Sequence, residues 1–227
     1  MIDFSRELRV VILKIACSVK FDHCLDTAAV KLKKFVESNG TQKLHPDVRS
    51  VVYSFGLFVP SDAAESIFEK MWEFFLRETD VQEKNRLLIR LAAVKNKDIL
   101  AKYLQKIQDE KVVRRQDFFE IISNIALNPM GLDIVWDFFR NHWENLIEKF
   151  ALNDHVVDAV IGATISLFKD EQKLKEVEDF FNKYPNTGPS THTKKNVIED
   201  IKSNIKWLNA NLWQFEQWLN EDEVYLP

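Results

Sequence analysis

Only five glycines and six prolines are spread over 227 residues, and that scarcity restricts the fold more than any other feature. A sandwich or barrel needs turn residues at short, regular intervals, and this chain lacks them. Long elements with few breaks are helices. Apolar positions agree, because they recur three and four apart along almost the whole chain.

Leu8, Val11, Ile12, Ile15 and Val19 mark a first stripe, and Leu25, Ala28, Ala29, Leu32, Phe35 and Val36 a second. Asn39-Gly40 then interrupts, and His45-Pro46 opens a third segment through Val51, Val52, Phe55 and Leu57. Its β-branched residues make that segment the weakest helix on propensity. Pro60-Ser61-Asp62 reads as a stop followed by an N-cap, leading to Ile67, Phe68, Met71, Trp72 and Phe75. Asp80 and Glu83 have capping-box spacing ahead of Leu87, Leu88 and Leu91. Asn96 is placed to cap a helix bearing Ile99, Leu100, Tyr103, Leu104 and Ile107. Phe118, Ile121, Ile122 and Ile125 follow on one face.

Asn128-Pro129 predicts a helix start with proline at the first position, carrying Val135, Trp136, Phe139, Trp143, Leu146 and Phe150. Val157, Val160, Ile161, Ile165 and Phe168, then Leu174, Val177, Phe180 and Phe181, predict two more helices. Pro185 to Ser190 is the clearest loop. A long last helix from about Thr191 to Leu219 has a narrow seam at Ile201, Ile205, Leu208, Leu212, Phe215 and Leu219. The expectation is all-α: about eleven helices in HEAT- or armadillo-like pairs, forming an irregular α-α superhelix over residues 1–227 as one domain.

Thirty-one basic against 35 acidic residues give a net charge of −4, which offers no global attraction to nucleic acid. The clusters Lys31 to Lys34 and Lys111 to Arg115 read as solvated surface. The most apolar run, Val156 to Phe168, includes Asp158 and is too short to span a bilayer. No signal-peptide order occurs at the amino terminus, where Asp3, Arg6 and Glu7 interrupt. His23, His45, His142, His155 and His192 include no pair three to five residues apart, so no helical zinc pair exists. No glycine-rich phosphate loop or G-x-S-x-G elbow appears. Catalytic and metal-ligating residues are therefore expected to be absent from this chain.

Trp72, Trp136 and Trp143 fall in register with apolar stripes and read as core. Trp207, Trp213 and Trp218 lie off the seam of the last helix, widening its buried face or lining a groove. Cys17 and Cys24 stand seven apart across a helix break. Spacing alone leaves two readings open, buried thiols or a disulfide contributing about 2–3 kcal/mol. Asn39-Gly40-Thr41 is a glycosylation acceptor triplet in a predicted loop, which leans toward an oxidising compartment.

The run Asn128-Pro129-Met130-Gly131, followed by Val135-Trp136, Phe138-Phe139-Arg140, Asn141-His142-Trp143, Leu146 and Phe150, resembles the C-terminal domain of M1 (gluzincin) zinc aminopeptidases. Ala16-Cys17 with His23-Cys24-Leu25 is similar, as are Val51-Val52-Tyr53 with Gly56, Glu83 to Leu88 and Phe180 to Pro185. So is the ending Asn204-Ile205-Lys206-Trp207-Leu208 with Trp218-Leu219. The resemblance covers nearly the whole chain and is nearest the branch of aminopeptidases N and A and the endoplasmic-reticulum enzymes.

That resemblance implies a noncatalytic last domain of HEAT-like helix pairs that encloses the active-site chamber and meets the distal part of peptide substrates. Its partner is the catalytic domain of the same polypeptide. Zinc belongs there with the H-E-x-x-H and G-A-M-E-N motifs, neither of which occurs here. The resemblance also implies a Cys17–Cys24 disulfide and a place in the secretory pathway or on the extracellular face. Trp207 matches a tryptophan that borders a peptide-end pocket in some members. Val157 to Val160 departs from the pattern of acidic-substrate members, so that selectivity does not carry over. If Met1 is a genuine start, the alternative is a free-standing, cytoplasmic α-solenoid adaptor for proteins or peptides.

Overall fold

A computed structural model describes residues 4–58, 61–150, 155–186 and 190–222. Eleven α-helices occur among them: α1 Phe4–Ser18, α2 Asp22–Glu37, α3 Pro46–Phe55, α4 Ser61–Arg77, α5 Val81–Leu91, α6 Lys97–Lys106, α7 Arg115–Leu127, α8 Leu132–Phe150, α9 His155–Ile165, α10 Glu171–Lys183 and α11 Thr191–Asp222. No strand is present among the described residues, so the fold is all-α. Pro60, Gly188 and Pro189, read above as breaks, lie outside the described residues. So do the side chains of Ser61, Asp62, Phe150, His155 and Val157. The chain divides into two compact units after Val135, within α8.

Unit 1 holds α1 to α7. Helix α3 packs on α1, α2 and α5, while α4 packs on α5. Its β-branched Val51 and Val52 are buried with Tyr53, so packing outweighs propensity. Pro46 sits in the first turn of α3, where its missing amide costs nothing, and His45 caps it. Gly56 allows α3 to approach α2, because a Cβ there would stand 2.6 Å from Leu32 Cβ and 2.9 Å from the Ala28 carbonyl. Phe68, Trp72, Phe75 and Tyr103 form the aromatic centre, with Phe68 and Tyr103 edge-on at 5.5 Å. The buried Tyr103 hydroxyl donates to the Leu88 carbonyl at 2.5 Å.

Both α1 and α2 end in the same way. Phe21 N–H reaches the Ala16 carbonyl and Lys20 N–H the Cys17 carbonyl, with Lys20 left-handed at φ 61°. Gly40 N–H reaches the Phe35 carbonyl and Asn39 N–H the Val36 carbonyl, with Asn39 left-handed at φ 53°. These are Schellman closures, which satisfy carbonyls that a helix end otherwise strands.

Asn128-Pro129 does not open α8 at the proline as predicted. Residues 129–131 form a turn and the helix starts at Leu132. The cause is Asn128: its Oδ1 accepts from Met130 N–H, and its buried Nδ2 donates to the carbonyls of Ala92 and Val94, each at 2.8 Å. It is held to the α5–α6 loop and cannot enter α8 as a simple cap. In unit 2, Asn204 of α11 donates in the same manner to Ser166 and Phe168 in the α9–α10 loop, at 2.8 and 3.1 Å.

The core of unit 2 is built on Trp136, Trp143, Phe168, Phe180 and Val177. Trp136 and Trp143 meet Phe180 edge-on at 5.1 and 4.9 Å, joining α8 to α10. Helix α11 covers α9 and α10 with Val197, Ile201 and Ile205.

Candidate functional site

Among the described residues, each unit holds a carboxylate that accepts from basic and aromatic side chains. In unit 1 this is Glu83, whose spacing from Asp80 suggests a reciprocal capping box. Half of the box forms: Asp80 Oδ1 accepts from Glu83 N–H at 2.7 Å, while the Asp80 N–H is taken by Glu78. Glu83 turns inward instead. Its Oε1 accepts from the Tyr53 hydroxyl at 2.8 Å, and its Oε2 accepts from Arg49 at 3.1 Å and from Arg86. Burial, with the Glu83 carboxylate beside it, pushes the Tyr53 phenol far above its usual range. The protonated phenol and the carboxylate between two guanidiniums brace α3 against α5. A cleft of about 350 Å³ opens beside it, lined in part by Phe35, Lys43, Arg49, Phe74 and Arg77.

The counterpart in unit 2 is Glu176 on α10. Trp136 Nε1 and Lys173 Nζ donate to its Oε2, both at 3.1 Å, and Arg140 lies 3.5 Å away. Burial alone would raise this carboxyl. The hydrogen bonds and the charges of Lys173 and Arg140 outweigh it and hold the group below its usual value. Among the described residues no three His, Cys, Asp or Glu side chains gather as a metal would require.

Of the residues singled out in the sequence, Cys17, Cys24 and Asn39 belong to unit 1, and His142 and Trp207 to unit 2. Cys17, in the last turn of α1, and Cys24, in the first turn of α2, are joined by a disulfide with the sulfurs 2.07 Å apart. Asn39 is exposed in the closure of α2, with Oδ1 accepting from Arg77 at 2.6 Å. Trp207 is half exposed on α11, its ring 5.6 Å from Phe215. His142 stacks on Phe138 with ring centroids 4.6 Å apart. Sequence reasoning missed the inward turn of Glu83 and both asparagine clamps, because the partners lie 30 to 38 residues away.

Among the described residues, α1 and α11 leave large apolar side chains uncovered. On α1 the inward residues are Val10, Leu13, Ala16 and Cys17, so the more regular stripe of Leu8, Val11, Ile12, Ile15 and Val19 points outward, 46% to 69% exposed. On α11 the seam splits. Ile201 and Ile205 are buried, whereas Leu212, Phe215 and Leu219, with Trp207, Trp213 and Trp218, are 48% to 58% exposed. Exposed apolar side chains that gather on one helix face mark candidate interaction surfaces.

A family model described as "ERAP1-like C-terminal domain" matches residues 4–203. Among curated relatives, a glutamyl aminopeptidase of Bitis rhinoceros is 32% identical over 216 residues, 95% of this chain and 22% of the relative. Human endoplasmic reticulum aminopeptidase 2 is 30% identical over 220 residues, 95% of this chain and 22% of the relative. Glutamyl aminopeptidase of Mus musculus is 29% identical over 214 residues, covering 94% and 22%. The chain thus spans about a fifth of the length of these relatives, 22% in each case.

Proposed function

The chain belongs to the ERAP1-like C-terminal domain family, and from that premise we propose that it is the noncatalytic C-terminal domain of an M1 zinc aminopeptidase. In that role it encloses the active-site chamber, contacts the distal part of peptide substrates and packs on the catalytic domain of the same polypeptide. The family match runs through the division at Val135 without a break, which supports residues 1–227 acting as one domain. The observation that carries the reading is the outward apolar stripe of α1. Leaving five aliphatic side chains in water is costly, at roughly 25 cal/mol for each Å² of apolar surface. A larger polypeptide has the means to cover them.

The metal and the bond-breaking step are assigned to the remainder of the parent on the strength of the resemblance to zinc aminopeptidases. The Cys17–Cys24 link and the endoplasmic-reticulum name of one relative support a place in the secretory pathway or on the extracellular face. Helix α11 offers half-exposed Trp207, beside Phe215, as the aromatic contact for peptide. No helix among the described residues is long and apolar enough to cross a membrane.

The test is peptide hydrolysis by the chain alone in zinc buffer, then by the separately made remainder of the parent with and without the chain. Silence from the chain, with a changed rate on longer peptides when it is added to the remainder, is expected. Chelator-sensitive turnover by the chain itself would overturn the assignment. An intact-mass measurement of the natural protein separates this reading from a free-standing adaptor.

A further inference from the structure

Asn39-Gly40-Thr41 is the only Asn-x-Ser/Thr triplet with a non-proline middle residue in the chain. The structure places it where a sugar can be carried. Asn39 is the left-handed residue of the α2 closure, at φ 53°, followed by Gly40 at φ 79°. Asparagine is among the few side chains that accept this conformation readily. Its exposed side chain is oriented by Arg77, whose guanidinium lies over the Phe74 ring at 4.5 Å and donates to Asn39 Oδ1 at 2.6 Å. The carbonyl oxygen is therefore anchored, and Nδ2, the atom that bonds to sugar, makes no hydrogen bond to any described residue.

We propose that Asn39 is an N-glycosylation site, occupied when the chain passes through the secretory pathway, with the glycan rooted at the rim of the cleft between Phe35, Arg49 and Arg77. In the transfer, a bond forms between Asn39 Nδ2 and the sugar C1. The C1–O bond to a polyprenyl diphosphate donor breaks, the diphosphate leaves with the electron pair, and one amide proton passes to solvent. Nothing is oxidised or reduced. The acceptor is read on the unfolded chain, so the Thr41 hydroxyl is free then, although in the folded protein it donates to the Ser38 carbonyl at 2.7 Å. Oδ1 stays an amide oxygen after transfer, so the Arg77 contact survives with the sugar in place.

The inference rests on the secretory part of the proposed function, and its test is built to fail separately. The full 227-residue chain is expressed in mammalian cells behind a heterologous signal sequence. Secreted and cell-retained material are both examined, because transfer precedes folding. The expected result is a mass excess removed by peptide-N-glycosidase F, with Asn39 converted to Asp in the released peptide. Asn39→Gln and Thr41→Ala lose the excess, and Thr41→Ser keeps some of it. Wild-type chain at bare polypeptide mass in both fractions overturns the site and leaves the aminopeptidase assignment standing. Zinc-dependent turnover by a glycosylated chain would do the reverse.

Discussion

At the level of single residues, stability rests on a few buried polar groups with distant partners. Asn128 satisfies two loop carbonyls with one amide. Asn128→Ala would strand both, and stranded buried groups cost about 1–3 kcal/mol each. The expected loss is about 2–3 kcal/mol in urea unfolding; a shift below about 0.5 kcal/mol would show that the clamp is incidental. Glu176 makes a pH prediction. Its folded pKa lies below the usual value of 4.5, so the unfolded chain takes up a proton first as pH falls. The stabilisation is complete above the unfolded value and is lost as pH drops through the folded one. Urea midpoints across the acid range should therefore fall less steeply in Glu176→Gln than in wild type. Parallel slopes would remove Glu176 from the acid response. None of this was legible in the sequence. A sequence shows that Asp80 and Glu83 stand three apart, and the local rule for that spacing is a cap. The competing partners, Tyr53 and Arg49, come from another helix.

At the level of elements the sequence was far more informative, because helical periodicity is a local property of the chain. The stripes through Phe68 and Trp72, through Leu100 and Tyr103, and through Trp136 and Trp143 are buried as their spacing indicates. Two elements depart from this. The stripe of α1 is real but faces outward, since periodicity shows that a face is apolar and leaves open what covers it. The start of α8 lies past Pro129, because tertiary bonds to Asn128 outweigh the local preference for proline in the first turn. Local geometry also yields a substitution test. Lys20 holds φ 61° with an ordinary side chain, a conformation that costs most residues about 1 kcal/mol and glycine almost nothing. Lys20→Gly should raise the stability of the chain by up to about 1 kcal/mol. Destabilisation on thermal unfolding would mean that the closure of α1 depends on the lysine side chain.

At the level of the whole molecule, the all-α class was readable from the scarcity of glycine and proline, and the family from scattered motifs in order. The division after Val135 was not readable, because it falls inside a helix whose apolar pattern continues across it. The functional reading turns on the exposed α1 stripe, whose middle residue Ile12 is 53% exposed. An aspartate at that position meets water in the chain alone and should leave its unfolding unchanged within about 0.5 kcal/mol. In the assembled parent the same charge would be forced into an apolar interface, at a cost of several kcal/mol. The most direct test is calorimetric titration of the chain into the separately produced remainder of its parent, with wild type and Ile12→Asp compared. Saturable binding by wild type and at least a hundredfold weaker binding by Ile12→Asp is the expected outcome, corresponding to about 2.7 kcal/mol. Absent binding by wild type, or equal binding by both, would contradict the reading of α1 as the face that joins this domain to its enzyme.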